Sequence, residues 1–239
     1  GGGSALTSDI IHKEIAHLKA DGIPVVSSFG DYAASGGYYI AANSDTIVSM
    51  PNTLTGSIGV FSMLPNAQKL ANEKLGVNFD TVRTHQHAIT MSPYLDMSPD
   101  QKAMVQSETD AVYDQFLTIV SNGRGMTIEE THEIAQGRVW TGMAGKEIGL
   151  VDVIGDLEDA VKIAGDMAGL DKWKIKEYPS IKKEWYEDLI KGLNKGSSAR
   201  ALIPNDDLSR TLIKDYSELK SIMEMEGPQC RIPYLYKFN

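Results

Sequence analysis

The stretch GDYAASGGYYIAANSDTIVSM, residues 30–50, constrains the fold more than any other part of the chain, because it places a short apolar helix between two strands. The preceding IPVVSSF is typical of a buried strand, residues 33–42 have the small and aromatic side chains of a buried helix, and DTIVSM is the next strand. Strands and helices that alternate over short connections form crossover units, which build parallel sheets. The sequence therefore predicts an α/β fold with a largely parallel sheet.

The segments on either side are mainly helical in pattern. An N-terminal helix, with apolar residues at helical spacing, is predicted to be capped by Thr7 or Ser8 and to end at Gly22. After the turn-rich loop PNTLTGSIGV, we predict a helix over residues 65–75 and a strand over residues 77–84. Three more helices are expected, one from a cap at Ser98 to NGRG, one from a cap at Thr127 to Gly137, and one over DLEDAVKIAGDMAGL.

The last part of the chain differs in composition from the rest. From about Trp173 it is charged and rich in lysine, with a helix predicted near residues 208–226 and a strand-like RIPYLY after it. We therefore divide the chain into a domain of residues 1–170 and a C-terminal extension of residues 171–239.

Composition argues against several kinds of partner. The formal net charge of −9 provides no basic surface for nucleic acid and no polybasic patch for an anionic membrane. A single cysteine, Cys230, excludes an intrachain disulfide framework and a cysteine-rich metal site. No window reaches the about eighteen apolar residues of a membrane helix and no signal peptide opens the chain, so as given it is expected to be soluble. Composition alone favours a cloning linker at residues 1–4.

Ser35 is the first candidate for chemistry, since it lies where a predicted strand meets a predicted helix. A sharp turn there exposes the hydroxyl, and the amide of Gly36 at the helix N-terminus can stabilise negative charge. Gly36 and Gly37 let a substrate backbone approach closely. The alternative, which an isolated A-S-G-G favours, is that small residues only permit tight packing of helix on sheet. Residues 55–57 either place a second hydroxyl, that of Ser57, near Ser35 or satisfy a loop backbone.

A nucleophilic serine needs a base, and the histidines are weak candidates for that role. His12, His17 and His132 fall on predicted helices with polar neighbours, where exposure to solvent is expected. His85 and His87 share one face of a predicted strand and could be metal ligands or a base. No third ligand of suitable spacing follows them, so no metal site is predicted.

A lysine can act as the base when burial lowers its pKa by about three units, which corresponds to roughly 4 kcal/mol. Such a lysine must lie in an apolar site. Lys69, Lys74, Lys102 and Lys146 all have helical, mixed-charge surroundings, and none is expected to be buried. The residues alone therefore indicate a nucleophile without an evident base.

Four motifs, in order and at the right spacing, resemble those of the bacterial signal peptide peptidase A family, also called protease IV. They are GDYAASGGYYIA, PNTLTGSIGV, MSPDQ and QGRVWTGMAGKEIGLVD, and the resemblance runs from Gly1 to about Ala168. It implies a fold like those of crotonase and Clp protease, an α/β superhelix of repeated β-β-α units with a helical C-terminal part. It also implies a serine endopeptidase with a serine and lysine dyad and no cofactor or metal, which degrades cleaved signal peptides.

Carried over motif by motif, the resemblance implies roles for five residues. Ser35 is the nucleophile, and the amide of Gly36 is one oxyanion donor. Gly2 or Gly3, which match a glycine strip of the family, is another oxyanion donor. This match replaces the interpretation of residues 1–4 as a cloning linker. Gly1 stands where the family has proline. Ser57 matches a serine that orients the lysine.

The chain differs from the short members of the family at the position of the lysine that acts as the catalytic base. They carry the lysine five residues before the proline of an S-P motif, where this chain has Ala88. Long members consist of two related halves, the first with the lysine and the second with the serine, and this chain resembles the second. We therefore expect the lysine and some N-terminal strands to come from a segment outside this chain, and the isolated chain to be nearly inactive.

The resemblance also implies partners and a location. The partners are signal-peptide substrates, the N-terminal half of the same protein and further copies in a homo-oligomer, and no nucleic acid. The location is the bacterial inner membrane, with the catalytic part on the periplasmic or extracytoplasmic side and attachment through a segment absent here.

Three other interpretations stay open. The chain could be a non-catalytic assembly or peptide-binding half of a larger membrane-associated protein. It could be an acyl-coenzyme A enzyme, which would need carboxylates near the glycines, where only Asp31 is found. It could be a serine protease whose base is His85 or His87.

Overall fold

Eight strands and six α-helices make up the described part of the chain. The structure, a computed structural model, describes residues 1–85, 88–89 and 91–179 and the backbone of Gln229–Arg231. The strands are β1 (Gly2–Ser4), β2 (Val26–Phe29), β3 (Tyr32–Ala34), β4 (Thr46–Ser49), β5 (Leu54–Gly56), β6 (Val139–Thr141), β7 (Val153–Ile154) and β8 (Gln229–Arg231). The α-helices are α1 (Ala5–Ala20), α2 (Gly36–Ala41), α3 (Pro99–Arg124), α4 (Ile128–Ile134), α5 (Gly142–Glu147) and α6 (Leu157–Met167), with a π-helical segment at Leu70–Lys74.

The strands pair in three small sheets. In the first, β4 lies between β2 and β7 and is parallel to both. In the second, β5 is parallel to β3, with Ala34 opposite Gly56, and antiparallel to β6. In the third, β1 and β8 are antiparallel. The predicted α/β class and its parallel pairing are confirmed, although the parallel pairs are divided between two sheets.

Helix α2 is buried in the hydrophobic core. Tyr38 and Tyr39 are 0% and 1% exposed, and the ring of Tyr39 lies 4.9 Å, centre to centre, from that of Phe116 on α3. The hydroxyl of Tyr38 donates a hydrogen bond of 2.9 Å to the carbonyl of Leu150. Burying a large side chain contributes about 1.5–3 kcal/mol, so this packing fixes α2 and the residue that precedes it.

The helix ends follow local sequence signals. Ser98 and Thr127 cap α3 and α4 as predicted, each in a capping box with the residue three positions later. Asp156 caps α6 in the same way. The predicted cap of α1 is wrong, because the helix begins earlier and Ser4 is its N-cap, accepting a hydrogen bond from the amide of Thr7.

The strand predicted over residues 77–84 is wrong, since the structure has no regular element there. Val77, Phe79 and Val82 are 45%, 42% and 99% exposed, so no neighbouring strand covers them. The helix predicted over residues 65–75 is reduced largely to the π-helical segment. Strands β3 and β5 were not predicted, because three residues are too few for a periodic pattern.

The described residues up to Asp171 and strand β8 belong to one compact unit. Residues 172–179 belong to a second unit and contain no helix or strand. The helix predicted near residues 208–226 and most of RIPYLY lie outside the described residues, so the division at residue 170 stays a prediction. Within the described ranges, no helix combines the length and apolar character needed to cross a bilayer.

Candidate active site

Ser35 occupies the junction between β3 and α2 in a left-handed backbone conformation. Its φ of 55° and ψ of −120° are disfavoured for any residue except glycine. The conformation is held by hydrogen bonds of 2.8 Å, from the amide of Ser35 to the carbonyl of Gly56 and from the amide of Tyr39 to the carbonyl of Ser35. Strain of this kind, about 1–3 kcal/mol, is typical of functional sites.

The hydroxyl of Ser35 has no hydrogen-bond partner among the described residues. The prediction that the turn exposes it is wrong, since the residue is 0% exposed. A buried hydroxyl without a partner costs about 1–3 kcal/mol relative to one that is satisfied. Alanine would fill the same space without that cost, so packing alone does not explain the serine. An unpaired hydroxyl is, however, what a nucleophile awaiting its base requires.

Ser57 occupies the equivalent position after β5. Ala34 and Gly56 face each other on parallel strands, so Ser35 and Ser57 both follow paired residues at one edge of the sheet. Gly56 has a φ of 78°, and a Cβ there would lie 2.8 Å from Cδ1 of Trp140, so only glycine fits. Ser57 is also left-handed, with a φ of 45°, and the turn places it in the core at 1% exposure.

The backbone of a distant turn holds Ser57. Its amide donates to the carbonyl of Arg138 at 2.7 Å, and its hydroxyl donates weakly to the carbonyl of Gly137 at 3.4 Å. These two residues were not among the predicted site residues. They lie in the motif QGRVWTGMAGKEIGLVD, but nothing in the sequence indicates their contact with Ser57, because they are some eighty positions away and contribute only main-chain oxygens.

The glycine strip lies beside the N-terminal turn of α2. Gly2 and Gly3 form β1, so the linker interpretation is wrong. A Cβ added to Gly37 would lie 3.9 Å from the backbone nitrogen of Gly2, which shows how closely strip and helix approach. Gly36 is the buried first residue of α2, and the first amides of a helix have no partner within it. The structure thus places Ser35 and Ser57 after paired strand residues, and Gly2 beside the first turn of the helix that follows Ser35.

No lysine of the described ranges serves as a base for Ser35. Lys69, Lys74, Lys102 and Lys146 are exposed, as predicted. Lys19 is the one described lysine that is half-buried, and it pairs with Asp45 at 3.1 Å and donates to a backbone carbonyl. Ala88, at the position of the lysine in the short members, is exposed.

The histidines do not supply the base either, as far as the structure describes them. His17, His85 and His132 are exposed, and His87 lies outside the described residues. His12 was predicted to be exposed and is instead half-buried, with its ring edge-on to that of Tyr39 at 5.7 Å. Burial lowers the pKa of the His12 imidazole, although the nearby carboxylate of Asp9 opposes the shift.

A cavity among the described residues lies away from the predicted site residues. It has a volume of about 410 Å³ and is lined by Leu64, Pro65, Asn66, Met91, Ser92, Pro93, Leu95, Asp96, Met97 and Lys102. None of the five predicted site residues lines it. The same ranges contain no group of three or more histidine, cysteine, aspartate or glutamate residues suited to a metal ion.

Known proteins resemble the chain over the part that contains both serines. The profile of Peptidase family S49 matches residues 17–171. Protease 4 of Salmonella typhi is 40% identical over 204 residues, covering 85% of this chain and 32% of that protein. A putative signal peptide peptidase SppA of Enterococcus faecium is 41% identical over 160 residues, covering 67% of this chain and 46% of that protein.

Among solved structures, an enoyl-CoA hydratase/isomerase from Marinobacter aquaeolei aligns with a TM-score of 0.36 and 11% identity, covering 92% of this chain and 66% of that one. The chain spans less than half the length of the two protease relatives.

Proposed function

This chain belongs to Peptidase family S49, and on that premise we propose that it supplies the nucleophilic serine of a peptidase. The observation that carries the proposal is the buried hydroxyl of Ser35, which lies on a strained turn and has no hydrogen-bond partner in the described part of the chain. Ser57 follows the neighbouring strand, and Gly2 lies beside the first turn of α2.

The reaction is an acyl transfer in two steps. A neutral amine takes the proton of the Ser35 hydroxyl while Oγ bonds to the scissile carbonyl carbon. The carbonyl oxygen becomes an oxyanion that accepts hydrogen bonds from the amide of Gly36 and from that of Gly2 or Gly3. When the C–N bond breaks, the leaving amine takes the proton and an acyl-serine remains. Water, deprotonated by the same base, then releases the peptide acid and restores Ser35.

The base is a lysine from a segment outside this chain. The described lysines are exposed or ion-paired, which supports this assignment. Ser57, beside Ser35 at the sheet edge, orients the amine through its hydroxyl. The alignment covers only 32% of the Salmonella Protease 4, so that protein has room for a second half, and this chain is proposed to be the half that bears the serine.

The substrate class follows from the relatives. Because the Enterococcus relative is named a signal peptide peptidase, the substrates proposed here are cleaved signal peptides. The corresponding location is the bacterial inner membrane, with the site on its extracytoplasmic side. The proposed assembly contains the N-terminal half and several copies of the whole protein.

Labelling of the full-length protein with a peptidyl phosphonate tests the proposal, with peptide hydrolysis measured in parallel. Ser35→Ala is expected to lose the covalent adduct and to lower hydrolysis by about 10³-fold or more. Ser121→Ala, at a buried serine of α3 that bonds a backbone carbonyl, is the matched control and keeps both.

Hydrolysis that survives Ser35→Ala would refute the proposal. A full-length protein that never forms an adduct and cleaves no peptide would instead favour the non-catalytic binding half. The isolated chain, lacking the amine, is expected to hydrolyse peptides orders of magnitude more slowly than the full-length protein.

A further inference from the structure

A single carboxylate connects three helices around the candidate site. Oδ1 of Asp9 on α1 accepts hydrogen bonds from the hydroxyl of Tyr39 on α2, at 3.1 Å, and from Nε2 of Gln115 on α3, at 2.8 Å. Oδ2 pairs with Nζ of Lys13 at 2.7 Å. The side chain of Asp9 is 16% exposed and Tyr39 is 1% exposed, so water competes least for the contact between these two residues.

Asp9 is close in the chain to the glycine strip. Strand β1 runs directly into α1, where Ser4 is the N-cap. The hydroxyl of Ser8 donates to the carbonyl of Ser4 at 2.9 Å, which strengthens this first turn. Any movement of α1 therefore moves the amides of Gly2 and Gly3.

Tyr39 is equally close to the nucleophile. It is 1% exposed, and its amide donates to the carbonyl of Ser35 at 2.8 Å. A rotation or shift of α2 therefore changes the position of Ser35. The hydrogen bond from Tyr39 to Asp9 joins the element that carries the strip to the element that carries the serine.

We propose that Asp9 is a positioning residue, which holds the oxyanion amides of the glycine strip at a fixed distance from Ser35 through the hydroxyl of Tyr39. The inference rests on the proposed function. A hydrogen bond to an ionised acceptor is roughly twice as strong as a neutral one, and a misplacement of about 1 Å can cost 10²-fold in rate.

The state of the carboxyl agrees with this role. Burial acts to raise the pKa of Asp9, but hydrogen bonds from Lys13 and Tyr39 and the charge of Lys13 hold it below its ordinary value. The carboxyl is therefore ionised at neutral pH and remains an acceptor.

The test measures phosphonylation of Ser35 and steady-state peptide hydrolysis in the full-length protein. Tyr39→Phe, which keeps the buried ring, and Asp9→Ala are each expected to lower kcat and the phosphonylation rate by about 10-fold, with KM within about twofold. The double variant is expected to be no slower than the slower single variant, because both changes remove the same contact. Asp9→Asn, which keeps an acceptor oxygen, is expected to restore part of the rate.

Lys13→Met is the control, since it removes the exposed partner of Asp9 and leaves Tyr39 in contact. It is expected to change both rates by less than about twofold. If Asp9→Ala does not fold, as judged by near-ultraviolet circular dichroism, Tyr39→Phe decides alone.

Full rates in Tyr39→Phe, with Ser35 still labelled, would overturn the positioning role and leave the proposed function intact. The positioning role would also be overturned if the rate of the double variant fell by the product of the losses in the two single variants. Failure of the unsubstituted protein to label at Ser35 would overturn the proposed function itself.

Discussion

Ser35 combines two unfavourable features at one residue, a left-handed backbone and a buried hydroxyl to which no described residue is hydrogen-bonded. Each costs stability, and neither contributes to packing. Ser57, on the neighbouring strand, shares the left-handed backbone but has hydrogen bonds to a distant turn. This difference matches their proposed roles. Ser35 is the residue to be activated by a base, whereas Ser57, which is fixed by its hydrogen bonds, orients that base.

Replacing Ser35 with glycine is expected to stabilise the chain by about 1 kcal/mol relative to Ser35→Ala. Both variants lose the hydroxyl, so their difference isolates the backbone strain. Glycine relieves about 1–3 kcal/mol at a positive φ and loses about 0.4–1 kcal/mol through greater freedom in the unfolded chain. Urea denaturation of the two variants measures the difference. A lower midpoint for Ser35→Gly than for Ser35→Ala would mean that the conformation is not strained.

For individual residues, the sequence was sufficient to select the candidate site residues but not to predict which side chains and backbone groups contact them. Ser35 and Gly36 were identifiable because a polar group between small residues at a strand-to-helix junction is unusual. The burial of His12 was not predictable, since it depends on contact with Tyr39. The contacts of Ser57 with Gly137 and Arg138 depend on folding as well.

Among the elements, helices were predicted better than strands. The caps at Ser98 and Thr127 are local, since each involves residues within one turn, and both were confirmed. Strands of three residues depend on their neighbours for stability, so β3 and β5 leave no local pattern. Their parallel pairing nevertheless positions both candidate serines.

The contact between α2 and α3 depends on a glycine. A Cβ at Gly123 would overlap the carbonyl group of Ala42 at the end of α2, where the backbone cannot yield. Gly123→Ala is therefore expected to destabilise the chain by about 2–3 kcal/mol, although alanine normally stabilises a helix interior by about 1 kcal/mol.

Chemical denaturation measures this effect. Gly30→Ala is the control, because nothing lies within 4 Å of a Cβ at that position and its φ is ordinary. It is expected to change the free energy of unfolding by less than about 0.5 kcal/mol. A stabilised Gly123→Ala would show that the two helices separate without cost.

In the molecule as a whole, one ion pair joins segments far apart in the sequence. Arg124 at the end of α3 is bidentate to Asp152, and its Nε donates to the carbonyl of Gly149 at 2.9 Å. Asp152 also accepts a hydrogen bond of 2.7 Å from the amide of Ile47 in β4. The arginine side chain is only 7% exposed, so removing its partner leaves a charge that is poorly solvated.

Asp152→Asn, which leaves the buried guanidinium of Arg124 without its counter-charge, is expected to lower the free energy of unfolding by about 2–4 kcal/mol. Combining it with Arg124→Met should cost less than the sum of the two single changes, because the pair is already broken and asparagine still accepts from Ile47. Denaturation of the unsubstituted protein, the two single variants and the double variant gives the coupling free energy between Arg124 and Asp152. Lys162→Met, at an exposed pair with Asp159, is the control and is expected to cost under about 0.5 kcal/mol. Additive losses would contradict the prediction.

The predicted family is confirmed by the profile match over residues 17–171. Four short motifs were enough for that prediction because each contains residues with a positional requirement, such as Gly56 beside Trp140. The residues alone did not identify a base, and its proposed source in a segment outside this chain stays a prediction.

Strand β1 pairs with β8, so Gly3 lies opposite Cys230 and the two ends of the sequence meet. A ribosome adds about 5–20 residues per second, so on the order of ten seconds or more separate the emergence of these two strands. Throughout that interval β1 has no partner strand. The strand that carries Gly2 and Gly3, the proposed oxyanion donors, is therefore paired only once β8 has emerged.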